Sequence, residues 1–289
     1  MKFCIFCGKR VESFNVRCKE CNESPKQDNG FFCFSSELGE LCGGFNVDCF
    51  AYLSQIEPQN FWFRYRNRLI LWCIQKYFHN CKTFFEIGCG TGFVLSAIEN
   101  EFPHMELCGS DIFTQGLIYA SKRIKKAELF QMDARKMPFQ EEFDVIGAFD
   151  VLEHIEEDTA VLSQMCNALR SNGGIILTVP QHEFMWGPAD EHAHHVRRYS
   201  ASELKSKVEK AGFKVTRVTS FMSLLFPIMV ISRLKDKIMK ESYEHMNEFR
   251  IHALVNKAFD NLLKMEEAYI KSGLNSHFGG SLLLIARKI

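Results

Sequence analysis

Residues 83–93, Thr-Phe-Phe-Glu-Ile-Gly-Cys-Gly-Thr-Gly-Phe, bring three glycines directly after a short apolar stretch. Gly88, Gly90 and Gly92 form a G-x-G-x-G run. Glycine reaches positive φ and has no Cβ, so a turn built this way lets the backbone touch a ligand. The helix expected from Phe93 would offer its free N–H groups there. The spacing is one residue shorter than the dinucleotide fingerprint G-x-G-x-x-G. Four acids stand around this turn: Glu86 just before it, then Asp111, Asp133 and Asp150, each at or near the end of a candidate strand. An acid about 20 residues beyond a glycine turn is where a ribose diol is held, which singles out Asp111. Four acids suit a cationic ligand better than a pyrophosphate. Taken alone, the glycine run also fits a tight βα turn that binds nothing.

Two further clusters carry acid–base chemistry. Asp150-Val-Leu-Glu153-His154 follows a candidate strand, and His154 is the general-base candidate, because an unperturbed imidazole titrates near neutrality. Asp150, Glu153 and His154 could instead hold one divalent cation, or brace the next helix. Residues 180–199 form a long loop with His182, Trp186, His194, His195, Arg197, Arg198 and Tyr199. Imidazoles and guanidiniums there suit a carboxylate, phosphate or sugar hydroxyl. A His-rich metal site and a plain charged surface loop are the alternatives. On the helical stretch 51–80, Arg64 and Arg68 share a face, and Arg64 is the candidate to meet an anionic group in the pocket.

The N-terminus carries a separate device. Cys4, Cys7, Cys18 and Cys21 make two C-x-x-C knuckles a loop apart, the pattern of a closed tetrahedral zinc site. So short a segment cannot fold on its own apolar burial, so structural Zn2+ would stabilise it. Cys33, Cys42 and Cys49 match no metal spacing and are expected to be buried thiols.

The elements that must position these groups follow from pattern. Strands are expected at 83–87, 105–110, 128–131, 143–149, 175–179, 213–219 and 281–286, with helices between them. The organisation read is a zinc-ribbon-like module at 1–24, a connector at 25–50, and one large domain at 51–289. That domain begins with covering helices (51–80) and carries a helical insertion (221–275) before the last strand. The apolar run 221–234 is broken by Pro227 and too short to cross a bilayer; it could pack, line an apolar channel or lie on a membrane surface.

The 289 residues include 35 basic and 35 acidic ones, and this zero formal charge argues against a nucleic-acid binder. No signal-peptide pattern opens the chain, and the 12 Cys do not read as a secreted disulfide framework, so reduced thiols and a cytoplasmic location are expected.

Four motifs in order, Glu86-Ile-Gly-Cys-Gly-Thr-Gly92, Asp111, Met132-Asp133-Ala134 and Asp150-Val-Leu-Glu-His154, resemble the class I S-adenosylmethionine-dependent methyltransferases. The resemblance covers roughly residues 55–289. It implies an α/β fold: a Rossmann-like sheet of seven strands, mostly parallel with the last antiparallel, flanked by helices. It implies S-adenosyl-L-methionine as cofactor, held by Glu86, Gly88, Cys89, Gly90, Gly92, Asp111, Ile112, Asp133, Ala134, Asp150 and Val151. In that family's terms Glu86 lies near the cofactor ammonium, Asp111 takes the ribose hydroxyls and Asp133 the adenine amine. His154 and Glu153 fall where reacting groups stand. The run His-Val-Arg-Arg-Tyr is similar to a bacterial subgroup with small-molecule, quinone-like or sugar acceptors. The expected activity is methyl transfer to oxygen or nitrogen of a small molecule. Two alternatives remain: a ribosomal-RNA methyltransferase with a zinc module, and a cofactor-binding regulator without turnover.

Overall fold

A computed structural model describes residues 1–35, 49–239 and 251–289. Cys42, part of the connector and part of the insertion lie outside the described residues. The central sheet is built on β5 (Thr83–Ile87), which is buried along its whole length. Such a run without polar alternation is what a strand covered on both faces requires. β5 pairs in parallel with β6 (Glu106–Asp111) on one side and β8 (Phe143–Phe149) on the other. β7 (Glu128–Gln131) extends the β6 side, and β9 (Leu169–Pro180) the β8 side, both in parallel. β11 (Ser281–Lys288) then inserts antiparallel between β9 and β10 (Phe213–Phe221), as expected for the last strand.

The sheet has nine strands rather than the expected seven. The two additional ones come from the stretch read as a connector. β3 (Lys26–Asp28) and β4 (Phe31–Cys33) form a hairpin, and β4 joins β7 in parallel, Phe32 beside Phe130. Asn29 and Gly30 at its tip both have positive φ, 51° and 85°. Asn-Gly is the strongest short-range hairpin signal, because both central residues of that turn need a left-handed backbone. With strands only three residues long, the flanking pattern was too short to read. Where they are described, Cys33 and Cys49 are buried thiols, as expected.

Helices cover both faces of the sheet. α2 (Phe61–Tyr77), α3 (Phe93–Glu101) and α9 (Ala253–Lys271) bury one face against Phe84, Val145, Ile176 and Ile285. α5 (Asp158–Ala168) and α7 (Ala201–Lys210) cover the other, through Val161, Leu162, Leu204 and Val208. The short α1 (Cys49–Ile56) and α4 (Thr114–Arg123) lie near the glycine turn. β9 begins at Leu169, and its register against β8 shifts between Phe143 and Val145. The Ser171-Asn-Gly-Gly stretch, despite two glycines that weaken a strand, therefore lies inside β9. A Cβ at Gly174 would fall 2.4 Å from the Ala286 carbonyl oxygen, so only glycine lets β11 approach there. Pro227 does not break an apolar helix; it is the second residue of α8 (Phe226–Met239), a first-turn position that needs no amide hydrogen. No described helix is long and apolar enough to cross a membrane.

The N-terminal module packs on the large domain. β1 (Lys2–Phe3) pairs with β2 (Arg10–Val11). The Phe3 amide donates to the Pro138 carbonyl at 2.9 Å, and the terminal ammonium pairs with Glu142. Phe14, 4% exposed, fits among Phe34, Phe130 and Phe139.

Candidate active site and metal centres

Because β5 to β8 run parallel, their carboxyl ends bring the acids named from sequence to one edge. Gly88 has φ +66°, and a Cβ there would fall 2.5 Å from Val151 Cγ2. The turn can therefore close against the β8 loop only without a side chain. Asp111 fastens the turn to β6: its Oδ2 accepts the Gly90 amide at 2.8 Å and its Oδ1 the Phe113 amide at 2.9 Å. Burial raises its pKa to about 6, against the pull of those amides. Glu86 is 2% exposed, and its Oε2 has no hydrogen-bond partner. Burial pushes that carboxyl well above the ordinary range, with the Arg66 charge acting against it. A buried carboxyl with one oxygen left unpaired beside a glycine turn fits a cationic ligand, which would supply the missing donor.

Asp133 and Ala134 follow β7, both buried. The Asp133 carboxylate already accepts from the Arg135 amide and guanidinium, at 2.9 and 3.0 Å. Ile112 lies half-buried between the turn and β7, its carbonyl accepting from Gln131 at 3.1 Å. The Cys89 side chain packs with Phe31 and Leu117, so only its backbone belongs to the turn.

Asp150 sits after β8 with φ +58°, a strained backbone for a non-glycine residue. Its carboxylate pairs with Arg66, whose guanidinium stacks on Trp62 with 4.6 Å to the ring centroid. The Arg64 expectation is corrected here. Arg64 pairs with Asp260 of α9 at 3.1 Å, and Arg68 with Asp260 and Glu267, so both face that helix. Two residues along a helix turn by roughly 200°, which leaves Arg66 to face the sheet edge. Sequence reading also missed Glu57, which accepts from Thr91 of the turn at 2.6 Å and pairs with Arg123. Isolated charges at helix ends, Glu57 just after α1 and Arg123 closing α4, carry no local signature of such pairing.

Glu153 and His154 lie in a 3-10 turn after β8, and the 180–199 loop, which carries the short α6 (Pro188–His192), folds over them. Glu153 is fully buried, with neither carboxylate oxygen hydrogen-bonded. The His154 and His195 rings meet edge to face, 4.7 Å between centroids. Although His154 as a residue is exposed, surrounding protein and the adjacent His195 lower its pKa to about 3. Such an imidazole is neutral at physiological pH but a feeble general base, because proton affinity has been lost along with charge. Burial likewise raises the adjacent Glu153 carboxyl well above its usual range, so both partners of this pair are held in their neutral forms.

Much of the polar loop braces itself rather than facing a ligand. Tyr199, read as a substrate residue, is fully buried, and its hydroxyl donates to Asp158 at 2.7 Å. Arg197 pairs with the same carboxylate at 2.7 Å. Arg198 and His195 both hold the buried Asp190, each at 2.8 Å. His194 is exposed and Trp186 half-buried. His182, with φ +65°, keeps an aromatic setting: its ring lies 5.2 Å from Phe184, 5.2 Å from Phe226 and 6.1 Å from Phe278.

The cysteine set converges. Cys4 and Cys21 sulfurs are 3.6 Å apart, Cys7 and Cys18 3.7 Å, and all four lie within 4.8 Å of one another. These distances are too long for disulfides and near the roughly 3.8 Å edge of a Zn–S4 tetrahedron with 2.3 Å bonds. Backbone amides of Cys21 and then Glu20 hold the Cys18 thiol down at about 7, whereas Cys21, against a hydrogen bond from the Glu23 backbone, is pushed up to about 12 by burial and the neighbouring thiols; a bound metal would hold all four as thiolates.

With the geometry in place, comparison with known proteins defines the class. The family described as "Methyltransferase domain" matches residues 54–218, and the chain belongs to it. One relative is a "Probable S-adenosylmethionine-dependent methyltransferase" of Mycolicibacterium smegmatis, 25% identical over 166 residues, 55% of this chain and 62% of that protein. Another is the malonyl-[acyl-carrier protein] O-methyltransferase of Halalkalibacterium halodurans, 24% identical over 172 residues, 57% of this chain and 61% of that protein. The chain thus spans about three-fifths of these relatives' length. In fold it is similar to phosphoethanolamine N-methyltransferase 2 of Haemonchus contortus, solved with S-adenosyl-L-methionine. That match has a TM-score of 0.52 and 17% identity, covering 77% of this chain and 52% of the other. The large domain is therefore a methyltransferase domain on a Rossmann-like sheet.

Proposed function

We propose that this chain transfers a methyl group from S-adenosyl-L-methionine to an oxygen or nitrogen of a small molecule that has an apolar body. The observation that carries the cofactor reading is Glu86: a buried, donor-less carboxylate oxygen next to a glycine turn already fixed by Asp111. When bound, the cofactor supplies a methyl group activated on a sulfonium. Gly88 and Gly90 would admit it, Glu86 would meet its ammonium, Asp111 its ribose and Asp133 its adenine amine. Those residues leave the protein mainly a positioning task, holding the acceptor in line and keeping water out. A hydroxyl acceptor must lose a proton, and the edge of the sheet at Glu153 and His154 is where that proton would be taken up or the acceptor oxygen held. The His182, Phe184, Phe226 and Phe278 cluster stands at the ends of β9 and β10, on the same edge, and suits a ring or acyl body. The Cys4, Cys7, Cys18 and Cys21 set is assigned a structural zinc.

The test is conversion of S-adenosyl-L-methionine to S-adenosylhomocysteine in the presence of fractionated small-molecule extract. Product with an apolar fraction is expected. Product only with RNA, lost steeply as salt rises, would support the RNA enzyme instead, and the absence of product with every fraction would support a cofactor-binding regulator. Asp111→Ala is expected to weaken S-adenosylhomocysteine binding by about 1–3 kcal/mol, roughly five- to 150-fold. Calorimetry showing unchanged affinity would remove the ribose assignment.

A further inference from the structure

We propose that Glu153, His154 and His195 form a divalent-cation site that takes a borderline transition ion of the Mn2+, Fe2+, Co2+ or Zn2+ kind. The inference rests on the methyl-transfer reading and adds a component to that same edge of the sheet. One ligand atom from each residue lies within 4.8 Å of the other two. Glu153 is 0% exposed and both its oxygens lack a hydrogen-bond partner. A carboxylate buried with no donor is strongly disfavoured, and a cation placed against it removes that penalty.

The surrounding residues hold the set as an outer shell would. His195 Nδ1 is 2.8 Å from Asp190 Oδ1, which leaves Nε2 as the ring's open nitrogen. Asp190, 1% exposed, is itself held by Arg198 at 2.8 Å. A carboxylate behind a ligating imidazole fixes its tautomer and orientation. The two segments are tied by the Val196 amide, which donates to the Glu153 carbonyl at 2.7 Å. His154 is also approached by backbone groups of Ala193 and His194. Asp150, the third ligand suggested by spacing alone, is not in the set because Arg66 holds it.

Two imidazoles and one carboxylate favour nitrogen-accepting transition ions over Mg2+ or Ca2+, and three protein ligands leave positions for water or an acceptor oxygen. The protein-only alternative is a protonated Glu153 with no cation.

The 289-residue chain, dialysed against a weak chelator, is titrated with Mn2+ while the free-ion electron paramagnetic resonance signal is followed. Thiolates are poor Mn2+ ligands, so the cysteine set does not compete. One bound Mn2+ per chain is expected, with affinity lowered roughly tenfold or more in His195→Ala and His154→Ala and retained in His194→Ala. No binding, or binding unchanged in the first two variants, overturns the site. If His195→Ala does not fold, His154→Ala, a change at an exposed residue, decides the matter. S-adenosylhomocysteine calorimetry on the same samples separates the two claims. Nucleoside binding without Mn2+ binding removes only the cation, whereas failure of the nucleoside to bind removes the methyl-transfer reading.

Discussion

Replacing Asp158 by alanine is expected to destabilise the fold by about 2–4 kcal/mol. Its Oδ2 receives the Tyr199 hydroxyl at 2.7 Å, the Lys207 ammonium at 2.6 Å and the Arg197 guanidinium at 2.7 Å. Those partners join α5, α7 and the loop before α7. Without the carboxylate, the Tyr199 hydroxyl is left in a fully buried position. Lys207 and Arg197 are partly exposed, 23% and 22% by side chain, and recover some hydration, which keeps the figure below that for a sealed ion pair. The same group sets an acid response. Burial would raise the Asp158 pKa, but hydrogen bonds from Lys207, Tyr199 and Arg197 outweigh it, so the folded value lies below the ordinary one. This stabilisation is present above the unfolded carboxylate pKa, roughly 4, and is lost as pH falls through the folded value. Denaturant unfolding of wild type and variant as a function of pH measures both effects. A difference that does not shrink on acidification would show that the interactions are not those of a charged Asp158.

Stripping zinc from the N-terminal module should have a larger local effect. Zinc binding to small modules is worth about 10–16 kcal/mol, more than residues 1–24 can gain from apolar burial. Strong chelation is expected to release one zinc per chain and unfold the module. Phe14 should then leave its place among Phe34, Phe130 and Phe139, and the pairing of Phe3 with Pro138 should go with it. Metal analysis, limited proteolysis of the N-terminus and tryptophan-independent near-ultraviolet signals from Phe would report this. Reduced protein prepared without chelator and found to contain no zinc would sink the assignment. Retention of the methyltransferase domain after chelation is expected, since its core does not depend on that metal.

The positions of strands, the glycine turn and the acids at strand ends were legible because each is a local pattern. Thr83 to Ile87 is continuously apolar around one acid, Gly88 follows at once, and Asp111 ends the next strand. The cysteine spacing was equally local, and the four sulfurs meet as it implied. The additional hairpin was signalled by Asn29-Gly30, but strands of three residues gave no alternation to confirm it.

The amino-acid sequence by itself determined which elements form and which chemical groups stand at the working edge, since backbone preference and burial periodicity act over a few neighbours. Tertiary structure alone decided which of those groups remain available. It took Asp150 into a pair with Arg66, spent Tyr199 and Arg197 on Asp158, turned Arg64 toward α9, and brought His195 to Glu153 and His154. Each outcome is a competition among charges from distant segments. Its winner depends on distance and burial in the packed chain, which spacing along the sequence does not encode.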